Sequence, residues 1–122
     1  MLRLIRSFGY AFSGMVYLVK SQPNARIHAA ATLVALGLGA WLGLDACHWA
    51  VLTITIALVW GMEALNTAVE DTLDLTHPDD DPLAKSAKDV AAAGVLFAAL
   101  GAAAVGVWLL LLPFLRRIGF GG

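Results

Sequence analysis

Three long apolar stretches, residues 27–44, 46–62 and 90–114, constrain this chain more than any other feature. Each is near or above the ~20 residues that carry an α-helix across a bilayer. Within 122 residues they leave no sequence from which a soluble core could be built. Composition agrees: 60% of residues are hydrophobic and mean hydropathy is +0.78, against ~45–50% apolar in soluble domains. The length fits one domain, 1–122. A net charge of −1 and the lack of a basic patch give no footing to a nucleic-acid partner. Cys47 is the sole cysteine, which excludes an intrachain disulfide and reads as a buried apolar filler.

Along the chain, Ile5, Phe8, Phe12, Met15 and Val19 recur every three or four residues, opposite Arg3, Arg6, Tyr10, Tyr17 and Lys20. A basic, aromatic face opposite an apolar one predicts a helix over 1–22 that lies in the membrane interface. Pro23 disfavours helix at Gln22, and Asn24 is the expected cap of a first span over 25–44. Arg26 at its start is placed to reach headgroups. Gly43-Leu44-Asp45 makes a tight turn, with Asp45 capping a second helix over 46–75. At 1.5 Å per residue that helix is about 45 Å long, so its last turns stand clear of the hydrocarbon. Asp81 as cap and Pro82 as first helical residue open a third helix over 82–112, which Pro113 is expected to stop. Ala91, Gly94, Ala98, Gly101, Ala102 and Gly106 form a close-packing stripe on it, open to a sister helix or a neighbouring subunit. The expected fold is therefore an all-α membrane protein, an interfacial amphipathic helix plus three transmembrane helices. Arg3, Arg6, Lys20, Arg26, Lys85 and Lys88 fall on one side and only Arg116 and Arg117 on the other. The positive-inside rule makes the first side cytoplasmic.

The chemistry is concentrated at 63–89. Glu63, Asn66 and Glu70 share one helical face over two turns, roughly 10 Å end to end. Intramembrane acids are costly and point to function. One alternative is a polar seam that fixes helix register; another is a small oligomeric transporter using Glu63 to bind protons or cations. Lys85 and Lys88 singly read as snorkelling cations, and Asp79, Asp80 and Asp81 as a solvated turn. Taken with Glu70 and Asp89, they suit a metal-bound polyphosphate: carboxylates hold Mg²⁺, and lysine offsets phosphate charge. His28, His48 and His77 lack metal-ligand spacing and read as interfacial or turn residues.

The run E-A-L-N-T-A-V-E-D-T-L-D-L (63–75), then P-L-A-K-S-A-K-D-V-A-A-A-G-V-L (82–96), resembles the prokaryotic diacylglycerol kinase and undecaprenol kinase family. S-F-G-Y-A-F-S-G and N-A-R-I-H near the N-terminus fit it too, so the resemblance covers nearly the whole chain. It implies a homotrimer with sites shared between subunits, passing the γ-phosphate of MgATP to the hydroxyl of a membrane lipid. Carried over by position, Glu63 is the general base and Asn66 its polar neighbour. Glu70 is a metal-binding acid, and Lys88 with Asp89 contacts the nucleotide. Arg3 and Tyr10 reach nucleotide and substrate, and Asp79, Asp80 and Asp81 pass close to ATP. Gln22 stands where the family commonly has a second metal-binding glutamate; its amide oxygen can coordinate Mg²⁺, but without charge. The 82–92 stretch looks closer to the undecaprenol kinase branch, with diacylglycerol still open as the acceptor.

Overall fold

The computed structural model describes residues 1–121. All elements among them are helical: α1 Leu2–Ser21, α2 Pro23–Leu42, α3 Ala46–Thr76, α4 Pro82–Gly106, a π-helical turn Val107–Leu111, and α5 Leu112–Arg117. Pro23–Leu42, Ala46–Thr76 and Pro82–Arg117 are each long and apolar enough to cross a membrane.

Local chemistry sets the ends. Asp45 Oδ1 accepts from the His48 N–H at 2.9 Å, and Asp81 Oδ1 accepts from Leu83 and Ala84 at 2.7 and 3.2 Å. Each satisfies amides that the first helical turn leaves unpaired. Gly43 closes α2 in the left-handed region (φ 72°), where a Cβ would be strained. Asn24 does not cap α2: Gln22 holds that position in extended conformation, with Pro23 as the first helical residue. The fixed proline φ suits that place and its missing N–H costs nothing there. Nor does Arg26 reach outward. Its guanidinium donates to the Val19 and Lys20 carbonyls at 3.0 and 2.8 Å, closing the C-terminus of α1.

Pro113 does not stop the last helix. It lacks the N–H of an i→i−4 bond and its ring crowds the carbonyl before it, and the backbone widens into the π turn directly upstream, with Leu112 N–H reaching Val107 O. The helix then runs on to Arg117, whose guanidinium lies 4.6 Å from the Trp41 ring centroid and donates to the Trp41 carbonyl at 3.0 Å.

The α3–α4 hairpin is the most closely packed pair. Gly94 sits where a Cβ would run into Met62 Cε, and Ala84 and Ala98 are buried. Gly101, in the same stripe, faces open space. Beyond this seam the bundle is thin. Leu33, Val34, Ile54, Leu58, Phe97 and Leu100 all stand exposed, an arrangement suited to hydrocarbon and unsuited to water. Cys47 is exposed in the first turn of α3, not buried.

Candidate active site

Glu63 is the largest fully buried side chain among the described residues, 1% exposed. It owes that position to the α3 face on which Asn66, Thr67 and Glu70 follow within two turns. Asn66 Nδ2 donates to Glu70 Oε1 at 3.3 Å, an i,i+4 pair that helical geometry makes natural. Other polar atoms nearby are unsatisfied. Glu63 Oε2, Asn66 Oδ1, Thr67 Oγ1 and His28 Nε2 are all buried without a hydrogen-bond partner. Orphaned polar atoms are expensive. Thr67 faces α1 in a separate cavity with Leu18 and Asp71, and the other three call for an explanation together.

Three of those residues, His28, Glu63 and Asn66, line a cavity of about 350 Å³ together with Asn24 and Glu70; α4 contributes Val95 and Leu96 to its apolar wall. His28 Nε2 lies 3.5 Å from Glu63 Oε2. Spacing within one helix carries no signal for this contact, because it joins α2 to α3. A second, apolar cavity of about 390 Å³ begins at His28 and runs between α2, α3 and α4 past Thr32, Leu52 and Val59. Polar and apolar spaces thus meet at His28.

The charged residues of the α3–α4 turn gather separately. Asp79, Asp80, Asp81, His77, Lys85 and Lys88 line an open pocket of about 350 Å³. Lys88 pairs with Asp74 across the hairpin, and Lys85 pairs with Asp89 at 2.6 Å one turn along α4. The Lys88–Asp89 couple is therefore split between two ion pairs. The Asp81 carboxyl is held below the usual carboxylate range by the Ala84 and Leu83 N–H groups. Arg3 and Tyr10 are exposed on α1, Tyr10 to 75%, and neither lines the Glu63 cavity. Gln22 is half-buried at the α1–α2 junction, its N–H on Leu18 O at 3.0 Å, and also stands outside that cavity.

Among the described residues no three His, Cys, Asp or Glu side chains are grouped to cage a metal. Mg²⁺ asks for less: it commonly takes one or two carboxylates and fills its octahedron with water and phosphate oxygens. Glu70 and the unpartnered Asn66 Oδ1 offer a donor set of that type.

Most of the chain is similar to known proteins. Residues 9–110 match the family described as prokaryotic diacylglycerol kinase. The chain is 44% identical over 113 residues to the diacylglycerol kinase of Synechocystis, covering 92% of this chain and 65% of that relative's length. It is 35% identical to the undecaprenol kinase of Bacillus subtilis over 91% of this chain and 89% of that one. To the diacylglycerol kinase of Escherichia coli K12 it is 32% identical, over 90% of this chain and 88% of that one.

Proposed function

The chain belongs to the prokaryotic diacylglycerol kinase family, lipid phosphotransferases with an alcohol acceptor, and on that premise we propose that it transfers the γ-phosphate of MgATP to a membrane lipid alcohol. The acceptor is diacylglycerol or undecaprenol, the two that its relatives' names supply. The observation that carries this reading is the buried Glu63 carboxylate, its Oε2 unpartnered, on the wall of a cavity with Glu70 at one end and apolar α4 residues along its side. The transporter reading of Glu63 finds no support among these relatives.

Glu63 would accept the proton of the lipid hydroxyl, the role of a general base, as that oxygen bonds to the γ-phosphorus. The bond from phosphorus to the bridging oxygen of ATP breaks, so that ADP leaves carrying that oxygen. Asn66 and Glu70 would hold Mg²⁺, which supplies charge neutralisation on the phosphates when bound. Gln22 would join that ion only from elsewhere in the assembly or after a shift of the α1–α2 junction. Asp79, Asp80, Asp81 and Lys88, which line the pocket at the α3–α4 turn, would meet the nucleotide. Asp89 is one residue on from Lys88, and the family resemblance assigns Arg3 and Tyr10 of α1 to the same ligand. Transfer is then chiefly positioning and electrostatics, as phosphoryl transfer demands. The exposed Ile5, Phe8, Phe12 and Met15 of α1 suit a helix lying in the interface. The wide apolar faces of α2 and α4 suit lipid and the neighbours of a homotrimer, with the Glu70 end cytoplasmic.

The test is direct. Purified protein in detergent, given γ-labelled ATP, Mg²⁺ and a panel of diacylglycerol, undecaprenol and simple long-chain alcohols, should label one lipid product in a Mg²⁺-dependent way. Release of labelled phosphate to water alone, with no lipid product from any acceptor, rejects the proposal.

A further inference from the structure

We propose that His28 is a positioning residue for Glu63, its Nε2–H donating to Glu63 Oε2; this rests on the kinase reading above. Both atoms are buried, neither has another partner, and they lie 3.5 Å apart. A buried carboxylate oxygen left without a donor is costly, and among the described residues this imidazole is the one basic side chain within ion-pair range of Glu63. Catalytic hydrogen bonds are often long in the unliganded protein and tighten on substrate binding, so a shift of well under 1 Å would complete this one.

The backbone beneath the ring is itself braced. Trp60 Nε1 on α3 donates to Thr32 Oγ1 at 3.1 Å, and that hydroxyl donates to the His28 carbonyl at 2.7 Å. Trp60 lies three residues before Glu63, so the same turn of α3 that carries the acid also fixes the turn of α2 that carries the imidazole. The brace sets where the ring stands relative to the acid. A donor on Oε2 fixes the carboxylate plane and leaves the second oxygen for the acceptor hydroxyl. His28 also lines the 390 Å³ apolar cavity. A lipid chain lying there would bring its hydroxyl end to this junction, where a misaimed carboxylate would be least productive.

The experiment compares wild type, His28→Leu and His28→Gln as full-length protein in detergent, with whichever lipid alcohol the wild type phosphorylates. His28→Leu should lower kcat roughly 10- to 100-fold, the worth of one hydrogen bond to a charged group, while KM for MgATP stays within about twofold. His28→Gln keeps a donor on a flexible stem and should recover most of that loss. Equal kcat in His28→Leu and wild type overturns the inference, as does a loss that His28→Gln fails to recover. A double-mutant cycle in thermal unfolding, His28→Leu with Glu63→Gln, adds a readout independent of turnover. Coupling between the two supports the contact, and strict additivity counts against it. Wild-type protein that phosphorylates no lipid alcohol rejects the kinase reading itself, a result separable from both.

Discussion

Tyr17 donates its hydroxyl to Asp71 Oδ2 at 2.8 Å, tying α1 to α3 one residue beyond Glu70. With Arg26 closing the end of α1, this bond decides where the N-terminal helix lies against the bundle. Tyr17→Phe is expected to loosen α1, seen as faster amide exchange over residues 2–21 with α3 unchanged. The contact is also pH-dependent. The hydrogen bond to Asp71 and its negative charge raise the Tyr17 hydroxyl above its ordinary range. The bond is therefore intact below the free phenol value of about 10 and is lost as pH rises through the raised one. Exchange in α1 that is indifferent to Tyr17→Phe would contradict this.

Glu63→Gln preserves volume and burial but removes the base. Lipid phosphorylation is expected to fall at least ~100-fold, while MgATP binding, followed by isothermal titration, stays near that of wild type. Turnover close to wild type would take the base role from Glu63.

Glu70→Gln should raise the Mg²⁺ concentration for half-maximal activity about tenfold, the loss of one charged contact. The complementary change, Gln22→Glu, should lower it. Superimposable Mg²⁺ curves for Gln22→Glu and wild type would exclude Gln22 from the metal site.

At Gly94 two effects oppose each other. Alanine improves helix propensity by ~1 kcal/mol, and the atom in its way is the flexible end of Met62, so Gly94→Ala should leave stability nearly unchanged. Gly94→Leu should wedge α3 from α4 and cost about 1–3 kcal/mol. Met62→Ala added to Gly94→Leu should recover part of that, and no recovery would show the clash lies elsewhere.

Asp81 offers a pH signature in stability. Its folded value is depressed by the Ala84 and Leu83 N–H groups, so its contribution is present above the unfolded value near 4 and lost as pH falls through the lower folded one. Asp81→Ala should unfold earlier than wild type at pH 7, with the gap narrowing in acid. A gap independent of pH would assign the loss to packing.

The parts of this fold written locally were legible in the chain. Apolar run lengths, Asp45, Gly43, Asp81 and the Glu63–Asn66–Glu70 face all follow from rules spanning a few residues. What joins distant segments was not. His28 belongs to a span start by its neighbours, and only the packing of α2 on α3 brings it to Glu63. Arg26 looked outward for the same reason, since its partners are the last carbonyls of a helix whose exit direction no short window encodes. Cys47 has the composition of a buried filler, yet its burial depends on what covers the start of α3, and it stands exposed. Pro113 carries a stop signal, yet a widened turn lets the helix survive it.

That widened turn has a further effect. It feeds one extra residue into the helix, and one residue is about 100° of rotation. Every side chain after Leu111 is thereby rephased against those before it, and Arg117 comes round to the Trp41 ring. A regular helix of the same sequence would aim that guanidinium elsewhere and leave the end of α2 without its cation. The odd turn works as a phase corrector, reconciling the seam that α4 keeps with α3 and the anchorage its tail needs on α2.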